Sequence, residues 1–116
     1  MALPVEVAAQ SALNTADFEW TILLSCPGDC PPAGVFEAHM KADLAAIEID
    51  KVFSEARGNL VRGVADLAGQ KIPLTFTARR DEVAGFLGPY TLDLYYLRDG
   101  ATAPVMRTVF QFEAGA

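Results

Sequence analysis

Few side chains in this sequence could do chemistry, and none lies beside an evident chemical partner. The single histidine, His39, would need a neighbouring serine, cysteine or carboxylate to act in a catalytic dyad. Strand-like alternation places it instead on a solvent-facing side, opposite Phe36, Ala38 and Met40. The sequence contains no calcium loop, phosphate loop or nucleophile elbow. We therefore predict no catalytic residue and a protein that is not an enzyme.

Two pairs of carboxylates have a spacing that admits chemistry. Glu48 and Asp50 share one face of a predicted strand and could work as a pair or bind a cation. A solvated sheet face produces the same spacing, and we favour that interpretation. Asp81 and Glu82 open a predicted helix, where carboxylates suit the unpaired N–H groups.

Asp93 interrupts an otherwise apolar strand, on the face opposite Leu92 and Leu94. A charged residue there either points to water or is paired within the fold. Three arginines are candidate partners: Arg79, Arg80 and Arg107. We expect a structural role for this aspartate.

The two cysteines, Cys26 and Cys30, lie in one loop rich in proline and glycine. Their spacing is not the C-x-x-C of redox proteins, and a structural zinc site would need two further ligands. Gly28 and the prolines favour a tight turn, so a small disulfide is possible. Two thiols without an essential role, a disulfide, and half of a metal site are the alternatives. We expect no metal and no cofactor.

Composition indicates one globular domain spanning residues 1–116, since 52% of the residues are hydrophobic. The net charge of −6 argues against nucleic acid as a partner, because a phosphate-binding surface needs clustered lysine and arginine. No apolar run is long enough to span a membrane. The first residues lack the positive region of a secretion signal, so we expect synthesis in a cytoplasm.

Alternating hydrophobic residues predict seven or eight strands and therefore an all-β fold, an antiparallel sandwich or a small barrel. A short helix with Val83, Phe86 and Leu87 on its apolar face precedes the penultimate strand and ends at Gly88. The pair Asp99-Gly100 predicts a hairpin turn. Residues 1–16 could be an edge strand or an arm, and Pro73 predicts a free edge on its strand. The predicted strands are 18–25, 35–40, 46–53, 59–66, 71–77, 90–97 and 103–113.

The segment Leu87-Gly88-Pro89-Tyr90-Thr91-Leu92-Asp93-Leu94 resembles the L-x-G-x-Y-x-x-D-L signature of small immunoglobulin-like domains in tailed-phage virion proteins. The nearest of these are the N-terminal domains of baseplate upper proteins and related short phage tail proteins. The aromatic-rich segment 18–20, the strand at 72–77 and the final hairpin agree with that layout. Two features depart from it: the loop with Cys26 and Cys30, and Arg107-Thr108 where a glycine usually begins the last strand.

The resemblance implies an immunoglobulin-like β-sandwich whose structural corner contains Gly88, Tyr90 and Asp93. It also implies a structural virion protein of the tail or baseplate, without catalytic residues. Its expected partners are other phage virion proteins and copies of itself in a homo-oligomer, and its expected location is the virion. Two alternatives remain: a capsid-associated or decoration protein of the same particle, and a free immunoglobulin-like module that recognises a protein or a glycan.

Overall fold

Two β-sheets pack face to face in the computed structural model, which describes residues 5–6, 10–28 and 30–114. The larger sheet has the strand order β1-β9-β8-β4-β5, with β2 also paired to β9, and the smaller sheet has the order β3-β7-β6. In chain order the elements are β1 (Val5–Glu6), β2 (Gln10–Leu13), β3 (Phe18–Ser25), β4 (Val35–Lys41), β5 (Lys51–Ser54), β6 (Leu60–Arg62), β7 (Lys71–Ala78), α1 (Arg80–Val83), β8 (Gly88–Arg98) and β9 (Ala101–Glu113).

This strand order is that of an immunoglobulin-like sandwich and confirms the predicted fold class. The smaller sheet, β3-β7-β6, has the B-E-D order, and β9-β8-β4-β5 has the G-F-C-C′ order of a variable-type domain. The short helix α1 comes directly before the penultimate strand, as predicted. In place of the inter-sheet disulfide of antibody domains, the described core holds aromatic and aliphatic side chains.

The N-terminal segment contributes edge strands, but they run parallel to their neighbour. Within the described part of residues 1–16, β1 and β2 both pair with β9, Val5 opposite Met106 and Gln10 opposite Phe110. The described strand pairs are therefore antiparallel except at this edge, where β1 and β2 run parallel to β9. Residues 1–4 and 7–9, which also belong to the predicted arm, lie outside the described residues.

The core is a cluster of phenylalanines that joins the two sheets. Phe18 of the smaller sheet contacts Phe53, Phe110 and Phe112 of the larger one, with ring centroids 5.0–6.0 Å apart. Phe53 also meets Phe76 edge to face at 5.7 Å. Because truncating a buried phenylalanine costs about 3–5 kcal/mol, these contacts account for much of the cohesion between the sheets.

The helix is shorter than its apolar spacing predicts. It ends at Val83, which is buried; Phe86 stacks on Tyr90 at 4.4 Å, and Leu87 points to solvent. The expected apolar helix face over these three residues is therefore wrong beyond Val83. Gly88 has φ = 87°, in the left-handed region that glycine adopts without strain, so the chain turns there into β8.

The predicted strand over 46–53 is wrong for its first half. Ile47 is 97% exposed and Ile49 38% exposed, and the strand β5 begins only at Lys51. The Asp50 carboxylate accepts a hydrogen bond from the Ala42 backbone N–H at 2.8 Å, and such local bonds favour loops over ladders. Glu48 and Asp50 therefore do not share a strand face.

The strand that contains Pro73 is central, so the predicted free edge is wrong. β7 lies between β3 and β6. The β6 ladder ends at Arg62, opposite Leu74, and so the missing N–H of Pro73 faces no strand partner. Gly63 follows and donates its N–H to the Pro73 carbonyl at 2.8 Å. Any residue with a Cβ at this position would bring that atom within 2.7 Å of Pro73 Cγ. The predicted strand over 59–66 consequently ends early.

The β8–β9 hairpin follows its sequence prediction closely. Asp99 and Gly100 both have positive φ, 52° and 79°, as a type I′ turn requires. The register shifts after Leu94, so that Tyr95 lies opposite Pro104 and Val105 is left over as a bulge. A bulge is one of the few places where a sheet accepts proline.

Candidate protein-interaction surface

A group of titratable side chains lies on the outer face of the larger sheet. Asp93 on β8 lies directly opposite His39 on β4 and Arg107 on β9. Arg107 donates from Nε and Nη2 to the two Asp93 oxygens at 2.6 and 3.1 Å. His39 Nε2 lies 3.1 Å from Glu37 Oε2. Of the three arginines proposed as partners of Asp93, the structure selects Arg107, and the group acts as a cross-strand ion pair.

Tyr95 borders this group, and its ring centroid lies 5.1 Å from that of His39. Burial raises the pKa of the Tyr95 hydroxyl, and the Asp93 carboxylate raises it further, while Arg107 lowers it in part. The hydroxyl therefore stays protonated, and the described contacts place no nucleophile beside it. The group holds three strands together, and its geometry defines no reaction.

Of the three residues in the predicted structural corner, two lie together and the third, Asp93, lies elsewhere. Gly88 and Tyr90 lie together at the start of β8, where Tyr90 is buried against Phe86 and Phe112. Burial raises the pKa of Tyr90, and Asp50 raises it further, whereas a backbone hydrogen bond with Leu87 lowers it. Asp93 points to the other face of the same strand, because three residues along a strand reverse the side.

The Cys26–Gly34 loop is held at both ends. The structure joins Cys26 and Cys30 as a disulfide, one of the alternatives left open by the sequence. Cys26 is buried, and its backbone N–H donates to the carbonyl of Gln70 at 2.8 Å, which extends the β3–β7 ladder by one residue. The loop is thereby fixed to the end of the smaller sheet.

The far end of this loop is fixed by an arginine that the sequence did not single out. Arg62 donates from Nε and Nη2 to both Glu55 oxygens, each at 2.7 Å. It also donates to the carbonyls of Pro32 and Gly34 at 2.8 and 2.6 Å, and its guanidinium lies 5.4 Å from the centre of the Phe36 ring. One side chain thus connects β6, the segment after β5 and the proline-rich loop.

Glu55 is the acidic partner of Arg62 in this ion pair. Burial raises the pKa of its carboxyl, but hydrogen bonds from Arg62 and from the Phe36 N–H, together with the positive charge of Arg62, lower it below the ordinary value of 4.5. Glu55 is therefore ionised across the physiological range. Nothing in the spacing of Arg62 and Glu55 signals the pair, because the intervening turn decides that they meet.

Several large apolar side chains are exposed on the sandwich, among them the following two groups. The loop at residues 42–50, here called the 42–50 loop, presents Leu44, Ile47 and Ile49. The outer face of the smaller sheet presents Leu23 and Val61 beside Thr21 and Thr75, whose hydroxyls share a 2.9 Å hydrogen bond. Exposed apolar groups clustered in this way mark surfaces for protein contact.

Two open cavities lie beside the ends of β3. One, of about 210 Å³, is lined by Trp20, by Phe110 and by residues of β2. The other, of about 200 Å³, is lined by Leu24, Phe36 and Val105.

Among residues 5–6, 10–28 and 30–114, no three histidine, cysteine, aspartate or glutamate side chains come together in a way that could hold a metal ion. Among the same residues, no helix is long and apolar enough to cross a bilayer.

Comparison with known proteins gives structural neighbours only. No protein-family description and no curated protein matches the sequence. Among solved structures, AggA, the major subunit of aggregative adherence fimbriae type I from Escherichia coli, is 8% identical, with 92% of this chain and 91% of that chain covered and a TM-score of 0.44. The NK cell receptor NKp44 is 13% identical, with 97% and 100% covered and a TM-score of 0.40.

A third neighbour is the extracellular fragment of novel immune-type receptor 11 from Ictalurus punctatus, at 10% identity, with 100% and 90% covered and a TM-score of 0.43. All three scores lie below 0.5, so these likenesses carry no argument about function. The immunoglobulin-like assignment rests on the strand order described above. A domain of this fold is compatible with a binding or a structural role.

Proposed function

We propose that this chain is a structural protein of a tailed-phage virion, in the tail or baseplate, and that it acts through protein–protein contacts and not as an enzyme. The observation that carries the proposal is the corner at 87–94, where Gly88 turns the chain into β8 and Tyr90 anchors it. This is the segment that resembles the phage immunoglobulin-like signature.

The distribution of polar and apolar groups supports an assembly role. Asp93 and Arg107 bond each other, and so do Glu55 and Arg62, so these charges stabilise the fold. In contrast, the 42–50 loop and the outer face of the smaller sheet expose apolar side chains to solvent. Surfaces of this composition suit contacts with neighbouring virion proteins or with further copies of the chain.

Mass spectrometry of virions tests the proposal. The particles are purified by density from cultures of the bacterium in which the gene for this chain occurs. We expect the chain at a stoichiometric level in particles, and immunogold labelling on the tail or baseplate. Labelling on the head would replace the tail assignment with the decoration alternative. Absence of the chain from purified particles would overturn the viral assignment altogether.

A free immunoglobulin-like binding module is the second candidate, and the Cys26–Cys30 disulfide favours it. Such bonds persist mainly in oxidising compartments and are rare in reducing cytosols. This candidate predicts that the chain occurs outside the cell, unattached to particles, with a mass two hydrogens below that of the reduced form. A fully reduced chain found only in particles would exclude it.

A further inference from the structure

The outer edge of β3 is the longest strand edge that the described part of the chain leaves unpaired. β3 spans Phe18–Ser25, whereas the other edge strands, β1, β2, β5 and β6, have between two and four residues. On its inner side β3 pairs with β7 over its full length. On its outer side no described strand is paired with it.

The hydrogen-bonding groups on that edge can be assigned residue by residue. Leu23 lies opposite Pro73, which has no N–H and whose carbonyl accepts a bond from Gly63 on the other side. The ladder continues through Cys26, whose N–H donates to the Gln70 carbonyl. Even-numbered residues of β3 therefore bond β7, and the N–H and C=O groups of the odd-numbered residues point outward. These are Glu19, Thr21, Leu23 and Ser25.

This edge lacks the features that commonly prevent strand addition. It contains no proline, no lysine or arginine and no bulge, and its only charged residue is Glu19 near one end. The outer edges of β5 and β6 are short by comparison, and β6 runs into Gly63. An edge of this kind accepts an additional strand.

The inward-facing side chains show that the edge is incompletely covered. Ile72, Leu74 and Phe76 on the central strand β7 are at most 1% exposed. Their neighbours Trp20, Ile22 and Leu24 on β3 are only half-buried, and open cavities lie beside Trp20 and Leu24. A strand placed along β3 would cover them.

We propose that the occupant of this edge is the β3 strand of a second copy, which pairs antiparallel about a two-fold axis at Ile22. In this register Trp20 lies opposite Leu24 of the partner, and Thr21 lies opposite Leu23. The outward N–H and C=O groups of the four odd-numbered residues then satisfy one another. The two smaller sheets become one continuous sheet with the order β6-β7-β3-β3-β7-β6.

Charge complementarity favours this register. Glu19 lies opposite Ser25 of the second copy, and Ser25 lies beside Lys71 within its own sheet. All three side chains point outward, so a short serine separates an acidic and a basic side chain that can reach each other across it. Shifting the register to centre on Thr21 would place Glu19 against Leu23 and remove this pairing.

The inference rests on the proposed role in protein contacts and deepens it by naming one partner; it does not depend on the viral setting. Sedimentation equilibrium of the full chain tests it. We expect a reversible dimer, and we expect L23P to lose it, because proline removes an outward N–H without breaking a β3–β7 bond. The matched control L23V keeps that N–H, and I47D removes the most exposed isoleucine elsewhere; both should dimerise like the parent.

A measurement on the unaltered chain guards against a variant that fails to fold. Residue-resolved hydrogen exchange should show protection at Glu19, Thr21, Leu23 and Ser25 that rises with protein concentration, while even-numbered amides of β3 are protected throughout. A chain that stays monomeric at its highest soluble concentration, or a dimer in which these four amides exchange freely, would overturn the inference. Particle binding measured separately would still decide the proposed function.

The register has its own test. In E19K, the new lysine of each copy would lie near Lys71 of the other copy. The repulsion should weaken dimerisation by about fivefold, as expected for partly exposed pairs. The exchange E19K/K71E should restore it. An unchanged dimer in E19K, or a double variant no stronger than E19K, would overturn the register.

Discussion

Replacing Arg62 by methionine tests how the proline-rich loop is held to the sandwich. The variant keeps an unbranched side chain against Phe36 but removes the hydrogen bonds that Arg62 donates to both Glu55 oxygens and to the carbonyls of Pro32 and Gly34. Both members of the ion pair are largely buried, with exposed side-chain fractions of 24% and 21%. The carboxylate left behind would keep the hydrogen bond that the Phe36 N–H donates to it.

We expect a loss of about 3 kcal/mol in the free energy of unfolding at neutral pH, since removing the arginine leaves the Glu55 carboxylate buried without its counter-charge. Urea denaturation measures it. Arg79→Met is the matched control. The Arg79 side chain is 77% exposed, so its ion pairs should contribute little to the free energy of unfolding. Arg62→Lys should fall between the two, since lysine cannot form the two-point contact.

The effect of pH follows from Glu55. Its folded pKa lies below its unfolded value of 4.5, so the stabilisation is fully present above that value and is lost as the pH falls through the folded pKa. The difference between the parent and Arg62→Met should therefore shrink below pH 4.5. A variant within 1 kcal/mol of the Arg79→Met control at pH 7, or a difference independent of pH, would refute this reasoning.

Two other substitutions probe features of β8. Gly88→Ala should destabilise by about 1–2 kcal/mol in thermal unfolding, because φ = 87° strains any residue with a Cβ, whereas Gly85→Ala should be nearly neutral; equal effects would contradict the argument. Asp93→Asn should lower the pKa of Tyr95 toward its ordinary value in a spectrophotometric titration, since the carboxylate contributes to raising it, and an unchanged titration would exclude that cause. Because the folded pKa of Tyr95 is raised, its contribution to stability is present below the unfolded pKa and disappears as the pH rises through the folded one.

Much of the architecture follows from alternation along the chain. β3, β7 and β8 each place apolar side chains on every second residue, and sheets that are buried on one face require that period. The turn at Asp99-Gly100 was equally predictable, since few pairs adopt two positive φ angles readily.

Other features depend on interactions that the alternation of apolar residues does not indicate, such as hydrogen bonds from side chains to the backbone. Ile47-Glu48-Ile49-Asp50 alternates like a strand, yet the Asp50 carboxylate bonds the backbone of Ala42 and the segment remains a loop. The edge predicted from Pro73 was misplaced, because the short length of β6, and not an edge position, frees the proline from the ladder.

The ion pairs and the open edge depended on strand order and register. Asp93 had three candidate arginines, and only the pairing of β8 with β9 places Arg107 opposite it. Among the described residues, the outer edge of β3 has no strand partner, and the N-terminal strands β1 and β2 pair with β9 in the other sheet. Neither property is encoded in a local pattern.

The pairing of β2 with β9 also constrains how the chain folds. Gln10 lies opposite Phe110, so this ladder joins two segments that are widely separated in the sequence. Contacts of such wide sequence separation slow folding, because most of the chain must be ordered before they form. We therefore expect the β2–β9 ladder to form late in folding, after β8 and β9 have paired.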